Sequence, residues 1–318
     1  MKKFKNKFKK IKFEDVYKNL LNRKPISVLI NFSQKIVLPG FDGMPFYNVA
    51  LFFFKGMQKG YITQRASALS FNFFLALFPA ILFLFTLIPY LPISNFQFTL
   101  FEMLSELLPQ NAFETVKETI NDILTHKRTG LLSFGFIMTF YFATNGVNAI
   151  IEAFNSTYHT IETRSWIKQR LISLFLVIVL SVLLVVAIFL IILGSHIINF
   201  LAQNGILKGQ LTIYTLLISK WIVIVALLFF GVSFLYYYAP ARKSRFKFIS
   251  AGSTLTTILI IITTMGFNFY VTNFSKYNLL YGSIGTLIIV LMWIYINAII
   301  LLVGFELNAS ITNASRRV

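Results

Sequence analysis

Six stretches of the chain carry almost nothing but apolar residues: 66–92, 129–151, 171–193, 214–238, 248–271 and 284–305. Each has the roughly 20 residues that an α-helix needs to cross the hydrocarbon of a bilayer. All are uncharged except the fourth, which holds Lys220. A transmembrane β-strand would alternate polar and apolar residues over about 10 positions, and these runs do not. An open strand in lipid would leave its backbone N–H and C=O groups unsatisfied, so each stretch is read as a helix. The pattern predicts an all-α integral membrane protein with six transmembrane helices.

Two further apolar patterns are too polar to span. Residues 46–60 form a short apolar stretch interrupted by Lys55 and Lys59, which reads as an interfacial helix leading into the first span. In the 93–128 loop, Asn111 is followed three residues later by Glu114, the spacing of a capping box. Phe113, Val116, Ile120 and Ile123 then recur at helical spacing, with Glu114, Glu118 and Asp122 on another face. This predicts an amphipathic helix in an outer loop. Pro79 is expected to free a carbonyl and kink the first span. Tyr270, Tyr277 and Tyr281 fit an interfacial aromatic belt, whereas Trp293 is placed deeper, between helices.

Composition agrees with the pattern. Hydrophobic residues make up 57% of the 318 residues and charged residues 13%, against about 45–50% and 25% in soluble domains. The 29 Lys and Arg exceed the 11 Asp and Glu by 18 charges. In a soluble domain that excess would point to nucleic acid. Here its distribution decides: residues 1–65 hold fourteen Lys and Arg, the segments 154–170 and 239–247 hold three and four, and the tail holds Arg316 and Arg317. Only six stand on the opposite side of the six spans, Lys220 included. Positive charge gathers on the cytoplasmic side, so both termini are expected there and no nucleic-acid partner is expected. The chain divides into a basic, flexible segment 1–45, a six-span domain 46–312 and a short tail 313–318. Lys2, Lys3, Lys5, Lys7, Lys9, Lys10 and Lys12 crowd the N-terminus. They are candidates for contact with anionic lipid headgroups, at about 1 kcal/mol per lysine near the surface, or else act only as determinants of topology.

Enzyme chemistry finds little footing. The chain has no cysteine, and His126, His159 and His196 are scattered along it. The phosphate-loop and HExxH patterns are absent, as is GxSxG. No cofactor is implied, and the chain is read as a non-enzyme. The polar residues within the spans carry more information. Asn145, Asn148 and Glu152 fall on one face of the second span, Asn72 lies in the first, and Asn297 and Glu306 belong to the sixth. Polar groups in lipid are costly and face the bundle interior or a wet cavity. They are read as a polar path opening to the cytoplasm. The competing reading has amides holding helices together and glutamates paired with Arg65, Arg164 or Arg170.

Four segments carry a resemblance. They are Arg65-Ala66-Ser67-Ala68-Leu69-Ser70-Phe71 with Pro79, Asn148 to Asn155 followed by Glu162 and Arg164, Tyr238-Ala239-Pro240 with Gly252, and Tyr281-Gly282-Ser283-Ile284-Gly285 leading to Gly304-Phe305-Glu306-Leu307-Asn308-Ala309. In that order the chain resembles the YihY/BrkB family of bacterial inner-membrane proteins over residues 45–312. The resemblance implies six helices in a bacterial cytoplasmic membrane and brings a virulence label and an older ribonuclease BN label. The expected function is transport or handling of an amphipathic or anionic lipid-like substrate in the cell envelope. The alternative is a scaffold for partner proteins, and a ribonuclease is disfavoured. A dry, packed seam between spans two and six would favour the scaffold.

Overall fold

The apolar runs fold into the helices their length demands. In the computed structural model the described residues are 32–87, 129–157, 160–161, 164–203, 210–241, 247–273 and 283–315. Among them are seven α-helices: α1 (Phe46–Lys59), α2 (Ile62–Leu87), α3 (Thr129–Asn155), α4 (Trp166–Gln203), α5 (Gln210–Tyr238), α6 (Ala251–Asn273) and α7 (Ser283–Ala314). Helices α2 to α7 are each long and apolar enough to cross a membrane. A two-residue antiparallel pair, β1 (Ser156–Thr157) and β2 (Thr160–Ile161), follows α3. The lysines at positions 2 to 12 and the outer-loop helix expected near 111–123 lie outside the described residues.

Successive spans pack against one another, α2 on α3, α3 on α4 and so on to α7, and α7 returns to pack on α2. The six spans thus form a closed ring. Small residues bring the helices together where they meet, as is usual without a hydrophobic drive between apolar helices in lipid. A Cβ at Gly135 would press on the Phe83 backbone, and one at Gly146 on the Phe73 ring. Where α6 meets α7, Gly304 leaves the space taken by Thr256 Oγ1 and the Tyr236 hydroxyl.

Burial is uneven along the ring. Ala66 and Leu69 of α2, Ile150 to Asn155 of α3 apart from Glu152, Leu176 and Val177 of α4, Val232 to Tyr236 of α5 apart from Phe234, Ser253 and Thr256 of α6, and Leu302 to Glu306 of α7 apart from Val303 are all buried. These positions sit at one end of every helix, the end where α2 begins. Further along, large apolar side chains such as Phe134, Ile178, Trp221 and Met265 face outward, as lipid-facing residues do.

Two expectations change. The apolar pattern ends the sixth span at 305, but α7 continues to Ala314. Ile311 and Ala314 extend its apolar face and are buried against Val49 of α1 and the turn residues Phe41 and Met44. The packed body therefore takes in residues upstream of 45. For the same reason α1 does more than lie at the interface, since its Val49 and Phe52 face α7. Helix α2 continues through Pro79. Helix α4 has 38 residues, about 57 Å at 1.5 Å per residue, so it is longer than a perpendicular crossing requires.

Candidate functional site

The most buried charge in the described structure lies at the packed end. Extending α7 past 305 places Glu306 inside the helix rather than at its terminus, and its side chain is fully buried. Arg65, in the first turn of α2, sets Nη2 3.8 Å from Glu306 Oε2. Its Nη1 donates to the carbonyls of Ala153 at 2.8 Å and Ser156 at 3.3 Å. The guanidinium thus ties the open C-terminus of α3 to the carboxylate of α7. Helix α1 makes room for this pair, because a Cβ at Gly56 would overlap Glu306 Oε1. Four helices meet on one ion pair.

A second polar group lies between α3 and α4. Tyr141, Asn145, Asn148 and Glu152 share a stripe of α3 at helical spacing. Gln169 Nε2 donates to Asn148 Oδ1 at 2.8 Å and reaches Glu152 Oε1 at 3.4 Å, while Asn148 Nδ2 donates to the same carboxylate oxygen at 2.8 Å. Arg170 Nη1 donates to Asn145 Oδ1 at 2.7 Å, and its guanidinium carbon lies 5.6 Å from the centre of the Tyr141 ring. Glu152 itself is exposed.

The ring's centre is filled differently at its two levels. At the packed end Phe154 of α3 stacks on Phe305 of α7, with ring centres 4.1 Å apart and planes 9° apart. Tyr236 of α5 stands edge-on to both, at 5.5 and 5.7 Å. Its hydroxyl donates to the Leu301 carbonyl at 2.6 Å and shares a 2.6 Å bond with Thr256 Oγ1. Buried aromatic hydroxyls need such partners, and these fix the ring across three helices. On the far side of this aromatic layer is a cavity of about 660 Å³ to which all six spans contribute, including Leu69, Val147, Leu180, Leu227, Ile260 and Leu301. Its lining is apolar apart from Asn297, the backbone and the Trp293 indole.

The six residues expected to form one polar path are therefore distributed. Asn145, Asn148 and Glu152 stand together beside α4. Glu306 is paired with Arg65, one of the three partners the sequence offered. Asn72 Nδ2 donates to Ala68 O at 2.9 Å and Asn297 Nδ2 to Trp293 O at 2.8 Å, each one turn back in its own helix. Phe154 stacked on Phe305 packs the seam between spans two and six at the level of Glu306. Sequence reasoning did not anticipate Gln169, Gly56 or the Tyr236 layer. The signal for Gly56 was a glycine within an apolar helix, which marks close approach. Tyr236 had no signal apart from the aromatic run it begins.

The loop after α3 also clamps α5. Arg164 donates to the carbonyls of Tyr238, Ala239 and Pro240, groups that a helix C-terminus leaves open. Burial lowers the Arg164 pKa from its ordinary value. A guanidinium stays charged regardless, so it also complements the negative end of the α5 dipole. Asn155 Oδ1 accepts from the Ala241 N–H at 2.7 Å.

Six apolar helices in a closed ring, with a buried ion pair at one end and an apolar cavity within, define a multi-pass α-helical membrane protein. The chain belongs to the family described as Virulence factor BrkB, whose match covers residues 53–318. It is 34% identical over 246 residues to a Bacillus subtilis (strain 168) protein provisionally named ribonuclease-like protein YfkH, covering 77% of this chain and 88% of that one. It is 26% identical over 275 residues to a UPF0761 membrane protein of Haemophilus influenzae (strain 86-028NP), covering 85% and 97%. A UPF0761 membrane protein of Chromobacterium violaceum is 24% identical over 274 residues, covering 84% of this chain and 63% of that protein. No solved structure matches the chain.

Proposed function

We propose that this protein takes up the acyl part of an amphipathic lipid within its ring of spans and moves or presents that lipid in the bacterial cell envelope. The observation that carries the reading is the 660 Å³ cavity. Its size falls in the range of about 300–1,000 Å³ typical of ligand sites. Its walls offer water few hydrogen bonds, and apolar cavities of that kind stay dry or take up apolar ligands. A polar headgroup would have to remain at a mouth of the ring. The count of twenty-three basic residues against six supports placing the packed end in the cytoplasm. On that placement the aromatic layer and the Arg65–Glu306 pair form a cytoplasmic floor. Glu306 and Glu152 are candidates for protonation or cation contact, and Lys2 to Lys12 for contact with anionic headgroups. The protein is read as a non-enzyme.

The test is movement of fluorescently labelled lipids and lyso-lipids across liposomes containing the purified protein. Wild type should move them faster than empty liposomes do. Leu227→Trp and Ala298→Trp, which fill the cavity, should lower that rate at least severalfold. A wild-type rate equal to that of empty liposomes would sink the proposal. Unchanged rates in Glu152→Gln and Glu306→Gln would remove the roles given to the carboxylates alone.

The stacked Phe154–Phe305 contact favours a second reading, a scaffold that organises partner proteins. It predicts crosslinked partners in cells and no lipid flux. A ribonuclease predicts metal-dependent cleavage of RNA by the purified protein, which both of the other readings exclude.

A further inference from the structure

Arg170 stands outside the ring's cavity. Val147 and Ile150 turn the inner face of α3 toward the cavity. Asn145, two positions from Val147, lies on the opposite face of the helix and accepts the 2.7 Å bond from Arg170 Nη1. Arg170 is half-buried, and its guanidinium is bonded to Asn145 and lies over the ring of Tyr141, a residue that is 50% exposed. A guanidinium has five N–H donors in a planar fork, and among the described residues the bond to Asn145 uses one. Trp166, four residues earlier and so on the same face of α4, is 78% exposed. It is the first residue of a membrane-spanning helix, where an indole marks the headgroup level. A fixed cation with open donors at that depth is costly in lipid alone, and phosphate matches its fork in two parallel bonds.

We propose that Arg170, held by Asn145 and Tyr141 and bordered by Trp166, binds the phosphate of an anionic membrane phospholipid on the outer surface of the α3–α4 seam. The site is separate from the cavity and does not depend on lipid transport. The exposed Glu152 lies two turns along the same stripe of α3, where Asn148 and Gln169 bond its carboxylate.

The test is native mass spectrometry of the protein released from phosphatidylcholine nanodiscs containing a minor fraction of phosphatidylglycerol. Wild type should retain phosphatidylglycerol in preference to phosphatidylcholine. Arg170→Gln should lower its retention roughly tenfold, the scale of a hydrogen bond to a charged group. Arg170→Lys keeps the charge and can still bond Asn145 but loses the fork, so it should fall between the two. It also serves if Arg170→Gln fails to fold. Lys168→Gln, two positions away and so on the opposite face of α4, should bind as wild type does. Equal retention in wild type and both Arg170 variants would overturn the proposal. So would a loss in Lys168→Gln as large as in Arg170→Gln, which would mean diffuse charge attraction. Displacement of the lipid by excess inorganic phosphate would mean a soluble-anion site and would overturn it too.

Discussion

At the scale of single residues, the Arg65–Glu306 pair sets the largest stake. A buried pair contributes little net stability, yet removing one partner leaves a buried charge and costs about 3–5 kcal/mol. Arg65→Met and Glu306→Met should each lower the melting temperature sharply in detergent. The double variant should recover much of the loss, and a double loss equal to the sum of the singles would contradict the pairing. Glycine 304 offers a second test. A Cβ there would overlap Thr256 Oγ1 and crowd the Tyr236 hydroxyl, so Gly304→Ala should cost about 1–3 kcal/mol through overpacking, read as reduced thermal stability. Gly266, whose added Cβ would meet nothing within 4 Å, is the control. Its change to Ala should be neutral or slightly stabilising.

At the scale of elements, the ends of the helices matter as much as their lengths. Arg164 bonds three carbonyls at the end of α5, so Arg164→Met should loosen residues 235–241. Faster hydrogen exchange there, with α2 unchanged, is the expected result. Exchange unchanged at both places would show the cap to be dispensable. Element existence was legible in the sequence because an apolar run of about 20 residues has few other fates. The end of α7 was not, because Glu306 and Asn308 look like the polar edge of a span. Glu306 remains inside because Arg65 neutralises it. Asn308 remains because its Oδ1 accepts the Gly252 N–H at 2.8 Å and its Nδ2 donates to Ser250 Oγ at 2.8 Å. Partners distant in sequence turned an apparent boundary into a helix interior. Asn72 and Asn297 show the converse, since a bond to a carbonyl one turn back satisfies an amide that sequence alone assigns to a shared path.

At the scale of the molecule, the cavity was invisible in the sequence because its walls are ordinary aliphatic residues of six separate helices. Only closure of the ring gathers them. Sidedness can be checked directly, since the chain has no cysteine. Glu118→Cys should react with an impermeant thiol reagent added to intact cells. Thr160→Cys and Ser244→Cys should react only after the cells are opened, and the reverse labelling would invert the proposed orientation.

The closing of the ring by α7 on α2 has a bearing on synthesis. Arg65 leaves the ribosome more than two hundred residues before Glu306, so through most of translation the first span carries a cation whose partner does not yet exist. Until the last helix arrives the ring stays open on its α2 edge, and the aromatic layer lacks Phe305. A chain halted before residue 283 should therefore be inserted yet unfinished, with Arg65 exposed to the membrane proteases that clear incomplete proteins. Pulse-chase of such a truncation should show rapid turnover. Supplying α7 as a separate segment should slow it, and supplying α7 with Glu306→Met should not.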